Sequence, residues 1–294
     1  ADNNSAFGNG VLAANTTGTS NTGVGKNALE ANTTANNNTA VGKNALGANT
    51  TGASNVAVGQ EALAANTTAA NNTAVGRVAL DANTTGTANV AVGTNALGTS
   101  TTASENTAVG NAALFATTTG ADNVGIGASA LDSTTTGGEN TAIGHQAGHN
   151  LTTGVNNTLL GHEAGTDAVA NVVASNGNIV IGNNYSASAK IKIDWTVTSD
   201  LRDKTEIESV PHGLNFVNQI TPIKYRFKTS RENDTPNGVT RYGFKAQEIL
   251  ALEGENPVLV DNGDTDNLKL TGAYLLPVLV NAIKELKAEI ELLK

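Results

Sequence analysis

Ser199 and Lys204 stand five residues apart in the stretch VTSDLRDKTEI, residues 197–207. A serine hydroxyl is a poor nucleophile until a base takes its proton. Lysine can be that base if burial lowers its pKa from ~10.4 toward neutrality. On a straight strand, residues five apart point to opposite faces and lie about 17 Å from each other. A working pair therefore needs a tight bend between Ser199 and Lys204, or a partner from another chain. Asp200 and Arg202 fall inside the interval, where they can pair and hold such a bend. Taken without context, the same six residues read as a solvated charged turn.

The stretch lies on a border. Residues 1–198 carry 11 acidic and 5 basic side chains, and residues 199–294 carry 15 and 12. All five prolines follow residue 210. The first part repeats and the second does not. A chain of 294 residues allows about two domains. Its net charge of −9 argues against a nucleic-acid partner, which selects basic faces. No apolar run approaches the ~20 residues of a membrane helix, so membrane insertion is not expected, and no signal-peptide pattern is visible. Without cysteine there is no disulfide and no thiolate zinc site. Residue 1 is Ala, which reads as a processed chain or a fragment of something longer.

The repeat is 17 residues long. Gly8, Gly25, Gly42 and their successors up to Gly161 keep this spacing without a break. Asn stands four residues before each glycine, from Asn4 to Asn157, and an apolar residue stands one before. Leu follows four residues after, from Leu12 to Leu131, until Gly148 and Gly165 interrupt it. The consensus is N-[TV]-A-V-G-x-x-A-L-x-A-N-T-T-x-x-x. The N-T-A-V-G segment alternates and is rich in Val and Thr, so it reads as a strand. The glycine turns the backbone, and A-N-T-T-G is turn chemistry. We expect Thr/Val and the following Val to share a buried face. We expect the intervening Ala to face outward and admit a neighbouring chain. The x-A-L segment reads as a second short apolar edge. Identical asparagines one coil apart should stack as a hydrogen-bonded ladder. These features predict a parallel β-solenoid of ten coils over residues 1–170, roughly 50 Å long at one strand spacing per coil. Its core is thin, which favours three chains packing together. Residues 171–198 break the period but alternate as strand, and are read as a β neck anchored by Trp195.

Other candidates are weaker. His145 and His162 share a repeat position, with His149 nearby, and read as exposed polar residues on a coil edge more readily than as metal ligands. Glu30, Asp81 and Asp132 also share a position, but three coils apart, too far for a glycosidase carboxylate pair. The glycine-rich turns lack the Gly-Lys-Ser/Thr of a phosphate loop. No cofactor and no metal are expected.

The C-terminal residues 274–294 form the clearest helix. Leu276, Leu279, Ile283, Leu286, Ile290 and Leu293 follow a 3-4-3-4-3 spacing, the seam of a coiled coil. Pro277 falls in the first turn, where it is tolerated. YGFKAQEILAL, from Tyr242, reads as a strand running into an amphipathic helix.

From residue 199 onward the chain resembles the C-terminal intramolecular chaperone domain of endosialidase-type phage tail spikes and fibres. The resemblance rests on SDLRDK at 199–204, PIKYRFK at 222–228, YGFKAQEIL at 242–250 and the helix at 274–294. Asp203 and Lys245 depart from the residues common there. The repeats resemble those of trimeric adhesin heads and some phage tail fibres. The resemblance implies a domain, residues 199–294, that trimerises the chain and guides folding of the preceding part. It implies that the domain then cuts itself off with a Ser199–Lys204 dyad, placed here at the Thr198–Ser199 bond. The expected protein is a homotrimeric tail fibre, virion-borne and extracellular, with a host surface receptor or glycan as its possible partner. The competing class is a cell-surface or secreted adhesin with the same domain. A glycan-degrading spike is disfavoured by the missing carboxylate pair.

Overall fold

The computed structural model describes residues 2–166, 170–183, 186, 199–228, 231–263, 265–266 and 268–294. Trp195 and half of the expected neck lie outside the described residues. The chain divides into two compact units, Ala1–Ser186 and Ala187–Lys294.

The first unit is a parallel β-solenoid of about ten turns. A three-residue strand, first seen at Ser5–Phe7, recurs every 17 residues as far as Thr158–Leu160. Each strand pairs in parallel register with the next, so Thr39, Ala40 and Val41 lie opposite Val56, Ala57 and Val58. The sheet continues one rung into the 171–198 segment. Ile179–Ile181 pairs with Thr158–Leu160 after 21 residues instead of 17.

Strand alternation holds, but its phase is the reverse of the one expected. Ala40, Ala57, Ala74, Ala91 and Ala108 are fully buried. The valines that follow face outward, Val41 being 37% exposed and Ile143 42%. The reason is the narrowness of the coil. Its interior is already filled by the Ala and Leu of the opposite wall, here Ala28/Leu29, Ala45/Leu46 and their equivalents. Where Gly125 replaces the strand Ala, even an added Cβ would come within 3.1 Å of Leu114 Cγ. A valine there would overpack the coil.

The x-A-L segment is a chain of turns and not a second edge. Its leucines adopt left-handed backbone angles, with φ of 53° at Leu29 and 51° at Leu46. A left-handed non-glycine residue costs on the order of 1–3 kcal/mol. Full burial of a leucine contributes about 1.5–3 kcal/mol, and its amide bonds the next coil, as Leu29 N–H does to the Ala45 carbonyl. Packing thus overrides local preference. The strand-ending glycines are more extreme, at φ near +137° for Gly59, where a Cβ would strike the backbone of Gly76 in the next coil.

The asparagine ladder forms inside the coil. The side-chain oxygen of Asn55 accepts from Asn72 N–H at 2.9 Å, and Asn72 Nδ2 donates to the Gly86 carbonyl at 2.9 Å. The Asn72 side chain thus ties Gly86, at the end of its own coil, to Asn89, at the start of the next. A second ladder, at the asparagine of the A-N-T-T turn, runs through Asn15, Asn32, Asn49, Asn66 and Asn83, each Nδ2 donating to the preceding Oδ1 at 2.9–3.1 Å. It ends at Ser100 and Thr117, whose buried hydroxyls find no partner. Farther on, the core trades volume between positions. Gly148 and Gly165 stand where Leu is usual, and Leu159, in the place of a strand Ala, fills the space. A Cβ on Gly148 would lie 2.7 Å from Leu159 Cδ1.

The second unit is a small α+β region. It contains α1 (Leu214–Gln219), a hairpin of Ile223–Lys228 with Pro236–Gly243, α2 (Ala246–Glu253) and α3 (Leu275–Leu292). Its core gathers Phe216, Ile249, Leu259, Val260, Leu275 and Val278. The Glu253 carboxylate closes the end of α2 by accepting from the amides of Val258, Leu259 and Val260 at 2.7–3.1 Å. Among the described residues no helix is long and apolar enough to cross a membrane.

The inside-out assignment is open to test. Asn72→Ala orphans the Asn89 N–H and takes one of two donors from the Gly86 carbonyl, which keeps Asn83 Nδ2, and should cost about 1–3 kcal/mol. Thr73→Ala, on the outer face, should change stability by less than ~1 kcal/mol. Urea unfolding followed by circular dichroism would reveal the contrast. Equal effects would contradict the assigned faces.

Candidate functional site

The stretch from Ser199 to Lys204 folds into one tight turn. Leu201–Asp203 forms a single 3₁₀ turn, capped by Asp200, whose carboxylate accepts from Arg202 N–H at 2.9 Å. The Arg202 guanidinium grips the same carboxylate, Nη2 to Oδ2 at 2.6 Å and Nε to Oδ1 at 3.1 Å. Backbone bonds from Asp203 N–H to the Asp200 carbonyl and from Lys204 N–H to the Leu201 carbonyl, both 3.2 Å, complete the reversal. The one carboxylate thus both caps the turn and accepts a charge-assisted fork from the guanidinium.

This reversal brings the lysine back to the serine. Lys204 Nζ lies 2.9 Å from Ser199 Oγ and 3.1 Å from the Ser199 carbonyl oxygen. One chain therefore supplies the contact, with no second chain required. The whole turn is exposed to solvent. Lys204 Nζ donates to both oxygens, and as a donor it does not accept the serine's proton. The geometry of a nucleophile–base pair is present, and the environment that would activate it is not supplied by this chain alone. Thr198 lies outside the described residues.

The Arg202 hydrogen bonds, side chain first and backbone second, hold the Asp200 carboxyl below its ordinary value of 3.8. In turn, Asp200 raises the Arg202 guanidinium.

The seam residues share one side of α3. Leu276, Ile283, Leu286 and Ile290 are exposed, Ile283 by 67%, and Leu293, just past the helix, by 87%. Leu279 is half-buried at the edge of the core. The adjoining side of the helix, with Leu275, Val278 and Ala282, packs on the rest of the unit. The helix thus serves its own core and leaves the heptad strip uncovered.

Two side chains on α3 escaped sequence reasoning. Asn281 Nδ2 donates to the carbonyls of Val210, at 3.1 Å, and His212, at 3.4 Å. Glu285 Oε2 accepts from Leu214 N–H at 2.6 Å and so caps α1, whose own cap residue is Gly213. No spacing signals a contact across 71 residues.

The remaining candidates meet only in pairs. His145 and His162 stack with ring centroids 5.1 Å apart, and His149 Nδ1 pairs with Asp132 Oδ1 at 2.5 Å. Among the described residues no group of three or more His, Asp or Glu side chains could hold a metal.

A parallel solenoid followed by a small α+β region that opens on a Ser/Lys turn defines a fibre-like chain carrying a chaperone-type domain. The family model for the chaperone of endosialidase matches residues 199–259, beginning at the serine of the turn. The helix at 274–294 lies beyond the matched residues. No curated protein and no solved structure matches the chain.

The Asp200–Arg202 closure has a pH signature. A depressed carboxyl contributes to the turn above its unfolded pKa and loses that contribution as pH falls through the lower, folded value. An NMR titration of Asp200 should give a midpoint below 3.8, and Arg202→Ala should move it back up. An Asp200 midpoint that ignores Arg202→Ala would show that the pair does not close the turn.

Proposed function

We propose that this chain is a homotrimeric fibre protein of a phage tail, extracellular and serving host attachment. In this reading its C-terminal domain drives trimerisation and folding and then removes itself. The observation that carries the proposal is the 2.9 Å contact between Lys204 Nζ and Ser199 Oγ, in a turn where the chaperone-family match begins.

Two uncovered apolar strips support assembly from copies of the same chain. The first is the α3 seam, whose 3-4 spacing is self-complementary. The second is the outer row of Val24, Val41, Val58, Ile126 and Ile143, one residue per coil. A partner that fits such a row must repeat at the same spacing, which another copy does. Near-identical coils also pose a problem, because chains paired one coil out of step lose little contact. Slipped pairings are kinetic traps. A trimerising domain at one end sets the register before the coils zip together. Its removal leaves a fibre without its folding nucleus, so that unfolding becomes irreversible, which is kinetic stability.

The proposed cut runs as follows. Assembly buries Lys204 and favours its neutral amine. The amine takes the Ser199 hydroxyl proton, and Oγ attacks the Thr198 carbonyl carbon. The Thr198–Ser199 C–N bond breaks, and the Ser199 nitrogen takes the proton back as it becomes a free amine. Water then hydrolyses the Thr198 ester on Oγ, giving a Thr198 carboxylate and restoring the serine. The exposure of the turn in one chain fits this order, since cutting would wait for assembly.

Denaturing electrophoresis with intact mass tests the reading on wild type, Ser199→Ala and Lys204→Ala. The wild type should give products of 198 and 96 residues, which together make the 294 of the chain. Both variants should stay whole. A wild type that stays whole after trimers form would reduce the domain to a permanent trimeriser.

A further inference from the structure

Between Ser199 and Glu208 the described chain is bound only to itself. Its hydrogen bonds are those of the turn, and its side chains are exposed. The first tie to the rest of the unit comes at Val210, whose carbonyl accepts from Asn281, and the second and third follow at His212 and Leu214. All three are made by Asn281 and Glu285, which are four residues apart and so lie on one face of α3. The seam residues Leu279, Ile283 and Leu286 point elsewhere. Glu285 seats against Gly213, where a side chain on residue 213 would collide with its carboxylate. Asn281 and Glu285 thus leave the seam free while holding the segment that leads back to the turn.

We propose that Asn281 and Glu285 are positioning residues for self-cleavage: they moor the Ser199–Lys204 turn to the helix through which the chains assemble. This rests on the self-cleavage reading above and adds to it the route by which assembly reaches the cut site. Val210 is six Cα steps from Lys204, a reach of roughly 20 Å at full extension. With the mooring intact, joining three α3 helices confines three turns to that radius around the assembled bundle, where neighbouring chains can cover them. With the mooring cut, the turn is free to remain in solvent. Its lysine then lacks the burial that favours the neutral amine.

The test follows cutting in time during cell-free synthesis of the full chain, by denaturing electrophoresis, at pH values from neutral to alkaline. The proteins are wild type, Asn281→Ala/Glu285→Ala, Glu285→Gln and, as a helix control, Glu289→Ala. Trimer content is measured by light scattering with each change placed in a Ser199→Ala chain, so that no cut alters it. We expect the double variant to cut at least about tenfold more slowly at neutral pH, the scale of a lost near-attack geometry. It should recover as pH rises and still form trimers. Glu285→Gln keeps an oxygen for the Leu214 amide and should cut at close to the wild-type rate, as should Glu289→Ala. Normal cutting by the double variant overturns the mooring. So does a double variant that fails to trimerise, because the two residues would then hold the domain together and not position the turn. A wild type that never cuts, though trimeric, defeats the self-cleavage reading itself and this inference with it.

Discussion

The first unit depends on how little room a seventeen-residue coil encloses. Its interior admits the methyl groups of two alanines, one leucine and one or two asparagine amides per turn. The backbone must reverse direction repeatedly around that small space, and each coil buries a turn carbonyl, such as that of Gly52, Ala69 or Gly86, and the N–H of its ladder asparagine. Unpaired, each such group would cost about 1–3 kcal/mol. The ladder from Asn4 to Asn178 pairs them, since each amide accepts from one coil and donates into another. The amides take the place that a larger hydrophobic core holds elsewhere, and they make every coil dependent on its neighbours.

From that constraint the other features follow. Because the interior is full, β-branched side chains are driven outward, and an apolar row accumulates along the sheet. Because the turns are so tight, leucines accept left-handed angles and the strand-ending glycines admit no side chain. Where one position departs from the repeat, another compensates, as Leu159 does for Gly148 and Gly165. The unpartnered hydroxyls of Ser100 and Thr117 mark the place where the second ladder has lost its amides without a replacement.

The second unit is built to different rules. It has a conventional, small apolar core, and one helix that packs one face into that core and presents a heptad strip on the adjoining face. The Ser199–Lys204 turn is held closed by Asp200 and Arg202, yet it stands in solvent. That combination, formed geometry in an inactive environment, is what the proposed dependence of cutting on assembly requires. It also makes the attachment of the turn to α3 the natural point of control.

The repeat itself determined the solenoid, because a fixed period with fixed apolar and amide positions has few other solutions. It likewise announced the first ladder from Asn4 to Asn157, since identical amides one coil apart must meet. The seam of α3 and the helix after Gly243 were legible from spacing alone. What the sequence did not decide was which side of the strand faces in. Alternation has a period of two but no sign, and only the volume across the coil chooses Ala40 over Val41. Nor did spacing decide how Ser199 meets Lys204. A separation of five is compatible with a straight strand or a closed turn, and the Asp200 cap with its Arg202 clasp selects the turn. The contacts of Asn281 and Glu285 with residues 210–214 belong wholly to the tertiary structure, because a hydrogen bond across 71 residues depends on where the core places both partners.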